Sequence, residues 1–216
     1  MVDLQNDFCQ GGSLAVPSGE KIIPTANALQ THFDLIIATQ DWHPEDHMSF
    51  APNHKGQGVG DLIVINHRPQ VLWPVHCVQN TQGAEFHPGL KTHKITKIFY
   101  KGCDKKMDSY SAFFDNAHER STGLGDFLAS LQVEDVYILG LATDYCVKYT
   151  VIDAIHLGFN TYVIEDACQG VKLQPDDITK AYDEMNQAGA KIIHSKIILR
   201  ESFSRKKTLR EKVHSL

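Results

Sequence analysis

Apolar runs alternate with helix-period segments along this chain, the pattern of a parallel sheet flanked by helices. Five stretches predict strands: 35–39, 95–100, 136–141, 161–164 and a short one, placed at an edge, at 191–194. Residues 35–39 read Leu-Ile-Ile-Ala-Thr, a continuous apolar run of the buried-strand type. Predicted helices fill the intervals. The first spans 22–33, where Pro24 is tolerable only near the N-terminus. A second spans 124–131. The third, 143–157, sets Val147, Val151, Ile152, Ala154 and Ile155 on one broad stripe and stops at Gly158. The fourth, 175–188, begins with acidic residues and ends at Gly189. Between 43 and 94 the chain is rich in His, Pro, Gly and Asn and poor in periodicity, and loops of that length usually carry function or lack order. Only Met1 and Val2 precede Asp3, so the first strand of such a sheet is either stunted or begins upstream; the pattern leaves both open.

Composition narrows the function classes. A chain of 216 residues suits one domain and buries roughly 70% of its unfolded surface without needing a staple. A net charge of −5 gives no hint of a nucleic-acid partner, and the basic cluster from Arg205 to Lys212 reads as a solvated tail. Cys9, Cys77, Cys103, Cys146 and Cys168 are odd in number and form no CxxC pair. With no secretory leader before them, free thiols in a reducing compartment are expected. No apolar run approaches the ~18 residues that span a bilayer, so a cytoplasmic protein without a membrane partner is expected.

Three predicted strand ends carry reactive groups. Cys146 follows the 136–141 strand and falls in the first turn of the next helix, which Thr143 or Asp144 can cap. Backbone N–H groups there favour a thiolate and could hold an oxyanion, whereas Asp144 nearby would raise the thiol pKa. Read alone, Cys146 is equally well a small buried core residue. Asp3 ends the first strand, where open α/β sheets bind ligands, and Lys101 follows the 95–100 strand. A carboxylate, an ammonium and a thiol thus converge on one sheet edge, which says more than any one of them. Asp41-Trp42-His43 follows the 35–39 strand, and in extended chain residues i and i+2 point the same way, so both can share one ion. His76, stiffened by Pro74 and Trp73, is the best third ligand; His47 is either a fourth ligand or a supporting group. His54, His67 and His87 read as solvated loop residues. An Asp/His/His set with open positions suits one divalent zinc, iron or manganese ion. Phe8, Trp73, Tyr110 and Phe113 could sandwich a flat ring, although packing explains each of them equally well.

The segments carrying these residues resemble the nicotinamidase/pyrazinamidase branch of the isochorismatase-like cysteine hydrolases. They are Val2-Asp-Leu-Gln-Asn-Asp-Phe8, Gln40-Asp-Trp-His-Pro44 with His47, Trp73-Pro-Val-His-Cys77, Tyr100-Lys-Gly102, Asp108-Ser-Tyr-Ser-Ala-Phe-Phe114 and Gly140-Leu-Ala-Thr-Asp-Tyr-Cys146. Six motifs in the right order, over about residues 2–194, are very specific. The resemblance implies a three-layer αβα fold with a mostly parallel, doubly wound sheet. It implies a hydrolase domain over 1–201 with a metal-binding insertion at about 41–94, followed by a basic tail at 202–216. It further implies a triad of Asp3, Lys101 and Cys146, and a cis peptide at Leu141-Ala142 that aims the Ala142 and Cys146 N–H groups as an oxyanion hole. Asp41, His43 and His76 match the metal ligands, zinc first among the candidates, with Phe8, Trp73 and Tyr110 around the substrate ring. The expected reaction is hydrolysis of nicotinamide, and of pyrazinamide, to the acid and ammonia through a thioester, as a step of NAD salvage. The oligomeric state is left open.

Two rivals stand beside this reading. A relative acting on isochorismate or an N-carbamoyl compound would share the triad but lack the Asp-x-His plus His set. A metal-binding protein with no catalysis would leave Lys101 unexplained, because a lysine near a buried site needs a carboxylate partner.

Overall fold

The computed structural model describes residues 1–65 and 67–200; the basic cluster from Arg205 to Lys212 and the predicted tail lie outside the described residues. Among the described residues, seven strands and four α-helices follow in chain order: α1 (Ile23–Leu29), β1 (Ile37–Asp41), β2 (Leu62–Ile65), β3 (Arg68–Val71), β4 (Lys97–Lys101), α2 (Leu124–Ser130), β5 (Asp135–Leu141), α3 (Lys148–His156), β6 (Asn160–Gln169), α4 (Asp177–Ala188) and β7 (Lys191–Ile193).

Two parallel groups make the main sheet, β1 with β4 and β5 with β6 and β7. Met1 and Val2 join them. The Thr39 N–H donates to the Met1 carbonyl (3.0 Å), Val2 N–H to Leu139 (2.8 Å) and Leu141 N–H to Val2 (3.0 Å). The order across the sheet is therefore β4, β1, Met1–Val2, β5, β6, β7. Met1 and Val2 are the residues of this central strand that the structure describes. The chain winds outward from the centre in one direction and then in the other, so right-handed crossovers set α1 on one face and α3 and α4 on the opposite one. This is the expected three-layer, doubly wound α/β fold, and the switch of direction lies beside Asp3.

Gly140 makes the central seam work. Its φ of +136° lies in glycine territory, and a Cβ there would stand 2.0 Å from the Val2 carbonyl oxygen. On the other edge of β5 the register with β6 shifts between Ile138 and Gly140, where β6 runs from Val163 to Cys168. Leu4, Ala38, Leu141, Val147, Val151, Val163, Ile164 and Met185 fill the core around it.

The predicted elements land within a few residues of those observed, with three differences. The first helix is α only over 23–29, with 3-10 turns at Gly19–Ile22 and Gln30–His32. The third begins as a π turn at Thr143–Val147 before α3, and neither Thr143 nor Asp144 caps it: Ala142 holds the N-cap position without a side-chain bond. The 43–94 segment, expected to lack regular structure, contains an antiparallel hairpin, β2–β3. Among the described residues no helix is long and apolar enough to cross a membrane.

Candidate active site

Every strand that ends at the switch delivers one polar group to the same buried point. Asp3 directly follows the Met1–Val2 strand, Asp41 is the last residue of β1 and Lys101 the last of β4; Cys146 lies in the π turn after β5. All four are buried. Lys101 is the hub. Its Nζ lies 2.8 Å from Asp3 Oδ2 and 3.3 Å from Cys146 Sγ, forms a short ion pair with Asp41 Oδ1 and donates to the Ser109 carbonyl at 3.2 Å. Thr39 Oγ1 donates to the other Asp3 oxygen at 2.6 Å.

Burial governs the electrostatics here. It pushes the Cys146 thiol well above its ordinary pKa, although Lys101 pulls the other way. The same desolvation raises Asp3 against the opposing effect of Lys101. Lys101 itself is driven down by burial, but Asp3, Asp41 and Cys146 outweigh it and hold the ammonium well above its usual range. Burial thus works against the thiolate that the start of a helix favours, while Lys101 works for it. Asp144 is also placed differently from expectation. Its oxygens accept from the Val171 (3.0 Å) and Lys172 (2.7 Å) N–H groups, so it anchors the loop that follows β6.

Asp41 faces two ways. While Oδ1 meets Lys101, Oδ2 lies 3.5 Å from His43 Nε2 and 3.7 Å from His76 Nε2. Each ring is oriented from behind, His43 Nδ1 donating to the Gly102 carbonyl (2.9 Å) and His76 Nδ1 to the Pro74 carbonyl (2.8 Å). Because a carbonyl only accepts, Nδ1 is the donor in both rings, and both Nε2 atoms face one carboxylate oxygen. That is the arrangement metal-binding histidines adopt, and the donor set fits a divalent cation. Gly102 is required for it: with φ +65°, a Cβ would meet His43 Cε1 at 2.3 Å. His47 stands apart from this group. Its ring lies 4.2 Å from that of His43, Nδ1 is engaged by Ser49 Oγ at 2.8 Å, and burial lowers its pKa to about 4. Its Nε2 lies 3.4 Å from the Met107 carbonyl, and with His43 and Asp108 it forms a second group of donor atoms close enough to share an ion.

The surrounding scaffold explains residues quoted in the motifs without a role. The Gln5 side chain accepts from the Asp41 N–H and donates to the Asp41 carbonyl, both at 2.8 Å, and so fixes that residue. Asp7 Oδ2 accepts from the Cys77 N–H at 2.7 Å, next to His76. Phe8, Trp73 and Tyr110 line a narrow cavity with Asp41, His43, His76, Ala142 and Cys146, and Trp73 Nε1 donates to Tyr110 Oη at 3.2 Å. Leu14, Asp108, Tyr145 and Val171 complete the lining and were not singled out from sequence. Phe113, the fourth candidate for the ring sandwich, is instead in the core, stacked on Phe159. The peptide bond between Leu141 and Ala142 is cis, as the resemblance implied.

A family model describing the isochorismatase domain matches residues 1–197. The chain belongs to the isochorismatase family. Within that family it is similar to the nicotinamidase of Escherichia coli strain K12, 48% identical over 196 residues that cover 88% of this chain and 91% of that protein. Among solved structures, an Acinetobacter baumanii nicotinamidase–pyrazinamidase superposes with a TM-score of 0.89 at 45% identity, covering 91% of this chain and 95% of that one. A Pyrococcus horikoshii pyrazinamidase solved in complex with zinc follows at a TM-score of 0.73 and 39% identity, covering 90% and 96%. An amide-directed hydrolase is thus the activity class of this isochorismatase-family chain.

Proposed function

We propose that this protein is a nicotinamidase, hydrolysing nicotinamide to nicotinate and ammonia by cysteine catalysis in NAD salvage. The observation that carries the reading is the Lys101 hub, one ammonium within reach of Asp3, Asp41 and the Cys146 sulfur at the wall of an aromatic cavity. The non-catalytic reading gives Lys101 no reason to be there. The Asp41, His43 and His76 set argues against relatives that act on isochorismate or N-carbamoyl compounds.

In this mechanism Asp3 accepts the Cys146 proton. Burial raises both groups, which makes Asp3 the stronger base that a high thiol pKa demands. The thiolate, facing the Lys101 ammonium, attacks the carboxamide carbon, and the Ala142 and Cys146 N–H groups receive the oxyanion. Collapse breaks the C–N bond while Asp3 returns its proton to the leaving nitrogen, so ammonia departs and a thioester remains. Asp3 then takes a proton from water, whose oxygen attacks the thioester. The C–S bond breaks, Asp3 returns the proton to the Cys146 sulfur, and nicotinic acid leaves as nicotinate after losing its own proton to solvent. A divalent cation, zinc by our reading, would be held by Asp41, His43 and His76 and would orient the ring nitrogen of the substrate. Phe8, Trp73 and Tyr110 enclose the ring, and the same pocket chemistry accepts pyrazinamide. The domain spans 1–201 with its metal-binding insertion at about 41–94, and the chain works in the cytoplasm.

Ammonia release from nicotinamide tests the reading. Cys146→Ala is expected to lose at least ~10⁴-fold in kcat, the scale of removing a nucleophile from a catalytic unit, while its metal content stays intact. Appreciable turnover by that variant would assign the chemistry to a metal-activated water instead.

A further inference from the structure

One buried carboxylate on the cavity wall has no part in the mechanism above. Asp108 lines the cavity beside Asp41, His43 and Cys146. Its Oδ1 accepts from the Ser109 N–H and its Oδ2 from Gln70 Nε2 on β3, each at 2.8 Å. Both donors are neutral, so they satisfy its lone pairs without cancelling its charge. A carboxylate oxygen of Asp108 lies within 4.8 Å of ring nitrogens of both His43 and His47.

The charges around this point do not balance on their own. Three carboxylates, Asp3, Asp41 and Asp108, surround the single ammonium of Lys101, so acidic groups outnumber it by two in this buried cluster. Uncompensated buried charge is costly, and a divalent cation at Asp41, His43 and His76 would neutralise it. Without Asp108 the deficit would be one charge, which a divalent ion overcompensates.

We propose that Asp108, held in place by Gln70, is a positioning residue for the cation, supplying the second negative charge that matches the site to a divalent ion. The inference rests on the reading of Asp41, His43 and His76 as a cation site, and the test separates the two. Metal-free full-length protein is titrated with Zn²⁺ in competition with a colorimetric chelator, and thermal unfolding is followed with and without Zn²⁺. Asp108→Asn is expected to bind Zn²⁺ about 10–100-fold more weakly, the usual effect of losing a group that supports metal ligands. Its metal-free form should be no less stable than metal-free wild type, because a repulsive buried charge has gone. Asp108→Glu should recover most of the affinity and Gln70→Leu should lose a few-fold, whereas Asp41→Asn should lose the ion. Wild-type affinity in Asp108→Asn, or a loss that merely tracks a less stable metal-free protein, would overturn the proposal while leaving the cation site standing. A wild type that takes up no Zn²⁺ would remove the site and this role with it. Should Asp108→Asn not fold, Asp108→Ser replaces it; if neither folds, the residue is structural and the proposal fails.

Discussion

The insertion between β1 and β4 contains two regions of opposite character. Its ends, around His43–Phe50 and Leu72–Cys77, bury histidines and a serine: His43, His47, Ser49 and His76 are almost fully inside. Its middle, the β2–β3 hairpin, turns apolar side chains outward, with Leu62 68% and Val64 75% exposed. Hydrophobicity would have predicted the reverse. The polar ends are inside because each group there has a partner, and because backbone bonds lace the ends together: His43 N–H to the Cys77 carbonyl, Trp73 N–H to Ser49 and Ala51 N–H to Trp73. The hairpin's outward face has no such partners, and among its described residues only Gln70 on its inner side reaches the site, through Asp108. Burial in this insertion follows the demands of the site, not apolar content.

That contrast is open to attack by substitution. Lys101→Met should do the most damage, because it strands Asp3 and Asp41 as buried carboxylates without their cation. Breaking a buried pair in this way costs about 3–5 kcal/mol. Urea unfolding should register that loss, and ammonia release should fall with it; a variant of wild-type stability would show that the hub is not holding the two carboxylates. Gln5→Leu is milder. It leaves the buried Asp41 N–H without its acceptor, a loss of about 1–3 kcal/mol, and should weaken Zn²⁺ uptake through misplacement of Asp41. If Zn²⁺ affinity is unchanged, Asp41 is fixed by something other than Gln5.

How far the sequence foretold this contrast depends on what each residue needed. The strand-end convergence of Asp3, Lys101 and Cys146 was legible, because strand runs and their order place side chains at one sheet edge whatever the loops do. The Asp41, His43 and His76 group was legible for a similar reason, Asp41 closing a strand and His43 following two residues later. What was not legible is orientation. Asp144 lies beside the nucleophile in sequence but turns to the 171–172 backbone, and the His47 ring is turned by Ser49, a neighbour two residues on. The β2–β3 hairpin escaped because Pro69 and the polar residues around it mask a four-residue apolar run, Leu62–Ile65, whose outward face has no packing partner to impose a period. The π turn at Thr143–Val147 left no sequence signal that separates it from an ordinary helix start.

Leu62→Ser with Val64→Ser sits at the small end of the scale. Both side chains are exposed, so stability should change by no more than ~0.5 kcal/mol per site and nicotinamide turnover should stay at the wild-type level. A marked loss of activity would mean that the outward face of the hairpin, and not only Gln70 on its inner side, supports the site.

Nothing tests the account more directly than intact-protein and peptide mass spectrometry of the enzyme quenched during turnover of nicotinamide. A nicotinoyl group attached to the peptide containing Cys146, forming and decaying at rates compatible with ammonia release, is the predicted result. Full turnover with no acyl adduct on Cys146, or an adduct on another residue, would contradict it.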